Sequence, residues 1–220
     1  MKGAAMKLHL GCGQVYLEGY VNIDYPLDKH TVQEKTVADE FHDLTKLRYK
    51  AGTIEEVRLH HVYEHFPRHI AIALLACWHS WLKKGGKVHI EVPDFDESAK
   101  LVIDPQVPER DRKVALRHIF GSNEAPWATH YEGWSAERLT DALKLFGFKN
   151  IKIEQTAYLA TRNVIVTAKK GLFEINEKKA RELARKYLKN FTLNDSDFEL
   201  SLLEIWLKEY DKQYRATKAK

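Results

Sequence analysis

Cysteine is scarce in this chain, with only Cys12 and Cys77 among 220 residues. Two thiols in unrelated contexts build neither a disulfide framework nor a cysteine-rich metal site, and they fit a reduced compartment. Long apolar runs are missing as well. The longest, IAIALLACW at 70–78, stops after nine residues, about half of the ~18 needed to cross a bilayer. No membrane partner is expected. The opening MKGAAMKLHLGCG has too short an apolar part for a signal peptide and runs straight into a strand pattern, so the expected location is cytoplasmic. A strong charge of one sign is also lacking. The net charge is +4, and all of it lies after residue 168, where thirteen Lys and Arg face nine Asp and Glu. So diffuse an excess reads as a solvated helical tail rather than a nucleic-acid stripe.

What is present suits one well-buried domain: 44% hydrophobic and 30% charged residues. Short β-branched segments alternate with longer helical patterns, the signature of an α/β domain with a mostly parallel sheet. Strands are predicted over 6–10 (MKLHL), 20–25 (YVNIDY), 35–39 (KTVAD), 56–62 (EVRLHHV) and 86–93 (GKVHIEVP). Apolar positions at Ile70, Leu74, Trp78 and Trp81 or Leu82 predict a crossover helix over 68–83, closed by KKGGK. The pattern loosens over 95–134, with a helix near 108–120 and then an irregular, aromatic-rich stretch of the kind that forms binding loops. A helix over 135–148 with Ser135 as N-cap comes next. Strands over 150–155 and 162–168, joined by a short connection, read as an antiparallel hairpin. Two helices, near 174–190 and 197–214, complete the chain, the second opened by the capping-box spacing Ser196-x-x-Glu199. Along it Leu202, Ile205, Trp206 and Tyr210 form an apolar stripe that either packs back on the domain or serves as a homodimer seam.

LHHVYEHFPRH at 59–69 poses a question, because His61, Glu64 and His65 spell His-x-x-Glu-His, an inverted zinc-peptidase signature. That reading needs a helix through 61–65 so that both imidazoles share a face. The lead-in VRLHHV is strand-like, and Pro67 suits a helix that begins rather than continues. No third ligand stands out, and no metal is expected.

The order of elements and several words along it resemble class I S-adenosylmethionine-dependent methyltransferases of the small bacterial type. The words are LHLGCG, GYVNID, HDL, HVYEHF and LKKGGKVHIEVPDF, spread over residues 6–168. The resemblance implies a Rossmann-like, seven-stranded, mostly parallel sheet with an antiparallel last strand and helices on both faces. It divides the chain into a cofactor-binding domain at 1–170 and a C-terminal helical extension at 171–220. It implies that the Gly11–Cys12–Gly13 loop cradles the amino-acid end of S-adenosylmethionine, that Asp24 accepts from the ribose hydroxyls, and that Asp43 and Leu44 meet the adenine. His60 and His61 would then lie beside the methionine part. One departure is plain: ten residues separate Gly13 from Asp24, too few for the usual first helix, which weakens a dinucleotide reading.

Methyl transfer is an in-line displacement at a sulfonium, so a hydroxyl acceptor asks for positioning and a base. His130, His65 and Asp94 are the candidates. The acceptor implied is a small molecule or a glycan, methylated at oxygen. Two further readings stay open: a nucleic-acid methyltransferase, supported only by the basic tail, and a non-catalytic binding subunit.

Overall fold

The computed structural model describes residues 6–26 and 35–219. Seven strands form one sheet: Met6–Leu10 (β1), Val21–Asp24 (β2), Glu40–Phe41 (β3), Ile54–His60 (β4), Leu82–Pro93 (β5), Phe148–Tyr158 (β6) and Thr161–Lys170 (β7). Their order is β3-β2-β1-β4-β5-β7-β6. Pairings from β3 through β5 are parallel, while β7 runs antiparallel to both β5 and β6. The described helices are Arg68–Trp81 (α1), Phe95–Ile103 (α2), Glu109–Phe120 (α3), Ala136–Leu145 (α4), Glu177–Lys189 (α5) and Asp197–Thr217 (α6). None is long and apolar enough to cross a membrane.

Alternation along the strands separates two unlike faces. Leu8, Leu10, Val57, Leu59, Val88, Ile90, Val92, Val164 and Val166 are buried on one, against α1 and its neighbours. The other carries His9, Arg58, His60, His89, Glu91 and Thr167, and α3 reaches its edge through His118, which contacts Asn163 Oδ1 at 2.9 Å. The sheet therefore has helices on both faces, as expected, but only one face supplies the main core. In α1 every residue from Ala71 to Trp78 is buried, because the sheet lies on one side and α5 and α6 on the other. Trp81 Nε1 donates to the Thr217 carbonyl at 3.2 Å, and Cys77 Sγ to that of Tyr214 at 3.7 Å. The buried stripe of α6 is Leu203, Leu207, Tyr210 and Tyr214. Of the apolar residues expected along this helix, Tyr210 is buried, Leu202 and Trp206 are half-buried, and Ile205 is exposed.

Several boundaries differ from the sequence expectation. The third strand is Glu40–Phe41, not 35–39. In the preceding segment Thr36 Oγ1 takes the Ala38 N–H and Asp39 Oδ2 takes the Asn22 N–H, so side chains satisfy groups that a strand ladder would otherwise use. α1 stops at Trp81, and β5 starts at once with Leu82. The Gly85–Gly86 pair therefore lies within the strand, with Gly85 at φ +71°, and does not close the helix. β4 ends at His60, since His61 turns to φ 53°. α2 falls in a stretch expected to be loose, where Asp94 caps it by accepting from Glu97 N. No helix joins β1 to β2, as the spacing required.

His79 of α1 is 1% exposed, with its ring edge-on to Phe148 and Nε2 lacking a hydrogen-bond partner. Burial, then the Lys170 charge, lowers its pKa to about 4; burial, then Arg58, does the same for His60 and His89. In the unfolded chain each protonates near 6.5, so stability is full above that value and is lost as pH falls toward 4. The expected cost at pH 5 is about 2 kcal/mol for His79. Thermal unfolding followed by circular dichroism should show a melting point several degrees lower at pH 5 than at pH 7.5, and a smaller drop in His79→Gln. Equal drops in both proteins would contradict a neutral, buried His79.

Candidate active site

At the carboxyl ends of β1, β2 and β4, where the strand order reverses, lies a cleft of about 530 Å³. Open α/β sheets bind ligands at such a switch point, and the volume is in the range of small-molecule sites. Its floor is the turn after β1. Gly11 N and Cys12 N both donate to the Ile23 carbonyl, at 2.8 and 3.1 Å, which draws the turn against β2. Gly11 and Gly13 have φ of 71° and 53°, and a Cβ on Gly11 would run into Val62. Cys12 is buried and does not line the cleft; burial, then Asp24, pushes its thiol up to about 11.

Asp24 ends β2 and is buried. Its Oδ2 accepts from Gly13 N at 2.9 Å and its Oδ1 from Tyr25 N at 2.8 Å, so one carboxylate fixes both sides of the cleft's base. Beyond β3, Asp43 caps a short 3-10 turn at Leu44–Lys46, accepting from Thr45 N and Oγ1, with Lys46 Nζ at 3.1 Å from Oδ2. Asp24, Tyr25, Asp43, Leu44 and Thr45 thus line the β2–β3 side.

His61, Val62, His65 and Phe66 line the β4 side, with Glu124 and Trp127 above them. The segment 63–65 is a single 3-10 turn, so His61 and His65 do not share a helix face as a zinc-peptidase motif requires. Between them Glu64 points inward and is 1% exposed, and neither carboxylate oxygen makes a hydrogen bond. Its Oε1 lies 3.4 Å from His61 Nδ1 and 3.9 Å from His130 Nε2. Burial works to raise the Glu64 pKa, but His61, then His65 and His130, hold it below the ordinary value. Burial likewise opposes protonation of His61, yet Glu64 and then Glu91, at 3.7 Å, raise its pKa.

The loop over 121–134 closes this side. Gly121 at φ 86° leaves room for the Ala128 carbonyl, which a Cβ there would strike, and Tyr131 N and Glu132 N donate to the Glu64 carbonyl. Glu132 is buried between Arg68, at 2.9 Å, and Arg138, which fastens the loop to α1 and α4.

The sequence-derived residues therefore divide. Gly11, Gly13, Asp24, Asp43, Leu44, His61 and His65 line one cleft, and His130 stands directly behind His65, ring centroids 4.7 Å apart. Three expectations are corrected, for Cys12, His60 and Asp94, none of which lines the cleft. His60 faces the opposite side of the sheet, taking a hydrogen bond from Arg58 Nε at 2.9 Å and standing between His9 and His89, because adjacent strand residues alternate. Asp94 caps α2 and accepts from Gln155 Nε2 at 2.8 Å, away from the cleft. Of the aromatic residues in the loop, Trp127 reaches the cleft, Tyr131 is exposed and Trp134 is fully buried on Tyr63. Sequence reasoning weighed Glu64 only as the glutamate of the zinc-peptidase word and, with that reading set aside, left it out of the site. The signal was a glutamate within a histidine-rich word directly after a strand end.

Residues 9–153 match a family model described as a methyltransferase domain, which covers more than half of the chain. The chain belongs to this methyltransferase family. Among solved structures it is similar to an S-adenosylmethionine-dependent methyltransferase from Archaeoglobus fulgidus, at 18% identity over 77% of this chain and 87% of that one, TM-score 0.51. Another similar protein is an S-adenosylmethionine-dependent methyltransferase from Mesorhizobium loti, at 15% identity over 75% and 90% of the two chains, TM-score 0.50. Against human N-acetylserotonin methyltransferase, solved in complex with S-adenosylmethionine, identity is 16%, TM-score 0.49, over 76% of this chain and 48% of that one. No curated protein matches.

Gly11→Ala combines a left-handed backbone with a Cβ driven into Val62. It should cost about 1–3 kcal/mol of stability. A denaturant midpoint unchanged from the wild type would show that the turn adapts freely.

Proposed function

We propose that this methyltransferase transfers its methyl group to a hydroxyl oxygen of a small-molecule or glycan acceptor in the cytoplasm. The observation that carries this reading is the β4 side of the cleft, where His61 and His65 face the ligand space and Glu64 and Glu91 back His61. An amine attacks with its own lone pair, whereas an alcohol must lose its proton. A wall of imidazoles and carboxylates beside the methyl donor meets that need.

In this reading the cofactor lies along the cleft. Asp43 and Leu44 would hold its adenine, Asp24 would accept from its ribose hydroxyls, and the Gly11–Gly13 turn would receive its methionine part, with His61 and His65 on the side of the methyl group. His61 is the base: the imidazolium it forms is stabilised by the carboxylates 3.4 and 3.7 Å away. The hydroxyl oxygen attacks the methyl carbon, the carbon–sulfur bond breaks, and its electron pair stays on sulfur in S-adenosylhomocysteine.

Asp24→Ala should weaken S-adenosylhomocysteine binding by about 10- to 100-fold in calorimetric titration, the scale of hydrogen bonds to a charged group; unchanged affinity would sink the ribose assignment. His61→Asn tolerates the left-handed backbone at this position but takes up no proton. With labelled S-adenosylmethionine and a panel of glycosides and phenols, the wild type should yield methyl ethers. The variant should be about 10²–10⁴-fold slower, with cofactor affinity within about threefold. Products methylated only at nitrogen would refute the oxygen reading.

A further inference from the structure

We infer that Glu64, His65 and His130 form a binding site for a first-row divalent metal ion at the acceptor end of the cleft. This departs from the metal-free expectation, and it deepens the oxygen-methylation reading, on which it rests. The three side chains offer ligand atoms within 4.8 Å of one another. Ligands about 2.0–2.2 Å from a shared ion stand closer than that, so loading draws the three inward by several tenths of an ångström.

Three independent features fit an ion. Each ring already has its Nδ1 engaged by a backbone carbonyl: His65 with Thr129 at 3.2 Å, and His130 with His118 at 3.1 Å. A carbonyl only accepts, so Nδ1 carries a proton in both rings, and Nε2 is the nitrogen left for an ion to take. That arrangement is how proteins orient metal-binding histidines. Next, Glu64 is 1% exposed, its Oε1 faces only the imidazoles of His61 at 3.4 Å and His130 at 3.9 Å, and its Oε2 has no hydrogen-bond partner, an under-compensated buried carboxylate of the kind that takes a cation. Finally, the set is anchored from two directions. His65 lies on the 3-10 turn after β4, and His130 lies on a loop that hydrogen-bonds to Glu64's own carbonyl through Tyr131 N and Glu132 N.

Two imidazoles and one carboxylate suit zinc, iron, cobalt or nickel rather than calcium or magnesium. Three protein ligands leave positions open toward the cleft, where His65 faces the ligand space. An acceptor hydroxyl taking an open position is acidified by the ion. In its unprotonated form His61, beside Glu64, takes that proton; the hydroxyl oxygen attacks the sulfonium methyl carbon, and the carbon–sulfur bond breaks with its electron pair staying on sulfur. A second candidate group, His60, His89 and Glu91, is less suited, because Arg58 Nε donates to His60 Nε2 and places a guanidinium where the ion would sit.

The test uses the full chain, stripped with a chelator and titrated with Co²⁺, in parallel with S-adenosylhomocysteine. The inference expects one Co²⁺ per chain with visible d–d absorption, displaced by Zn²⁺. The affinity should fall at least about 10- to 100-fold in His65→Gln, His130→Gln and Glu64→Gln, while cofactor binding persists and His89→Gln behaves as wild type. No Co²⁺ band in a wild type that still binds S-adenosylhomocysteine overturns the metal site and leaves the cofactor reading standing. A band lost only in His89→Gln overturns it by assigning the ion to the other histidines. Failure of the wild type to bind S-adenosylhomocysteine at all removes the reading on which the inference rests.

Discussion

The cleft depends on one carboxylate. Asp24 receives the Gly13 and Tyr25 amides, so the turn after β1 and the end of β2 are held by a single buried side chain. In many doubly wound folds a helix between the first two strands supports that turn, with its N-terminus facing the ligand. Here the ten residues from Gly13 to Asp24 leave no room for it. The turn is instead fixed by amide bonds to the Ile23 carbonyl and by Asn22, whose side chain takes Leu17 N and donates to the Leu17 carbonyl. Side-chain hydrogen bonds have replaced an element of secondary structure.

The consequence spreads across the sheet. No helix lies between β1 and β2, and the sheet face that carries His9, His60 and His89 is polar, with His9 buried and His60 and His89 half-buried, while the core concentrates on the other face. There α1 is buried along its length, between the sheet and the C-terminal helices. Those helices lie after the residues that match the methyltransferase family, yet Leu203, Leu207, Tyr210 and Tyr214 share the core of the sheet. They supply the apolar cover for α1 that a more superficial helix would not need.

How much of this was legible in the sequence follows from the range of the interactions involved. Local patterns revealed β1, β2, β5, the closing hairpin and the cap of α4, because period-2 alternation and an N-capping serine are properties of neighbouring residues. The glycine turn, Asp24 and Asp43 came from short words in a fixed order. The misplaced third strand followed from Thr36 and Asp39, whose side chains meet backbone groups of the same segment and of β2, a competition that propensity does not register. His60 and His61 were placed together because strand residues alternate only while the strand lasts, and the left-handed turn at His61 is not written in its neighbours. Glu64 gained its meaning only when His130, 66 residues later in the chain, came to stand beside it.

The two buried glutamates of this region show why one reads as scaffold and the other as site. Glu132 and Glu64 are comparably buried, and their segments are joined by the amides of 131 and 132 on the Glu64 carbonyl. Glu132 is fully answered by two guanidinium groups, Arg68 and Arg138, which stay charged at any physiological pH. Such a pair is a permanent brace, since breaking it strands a charge in the interior. Glu64 is met only by imidazoles, His61 at 3.4 Å and His130 at 3.9 Å, a residue type whose charge is adjustable where an arginine's is not. A fold that needed only stability there would use an arginine or an apolar residue. Keeping a carboxylate whose compensation is adjustable leaves its charge available to a proton or a cation arriving with the acceptor, and that is a requirement of chemistry rather than of packing.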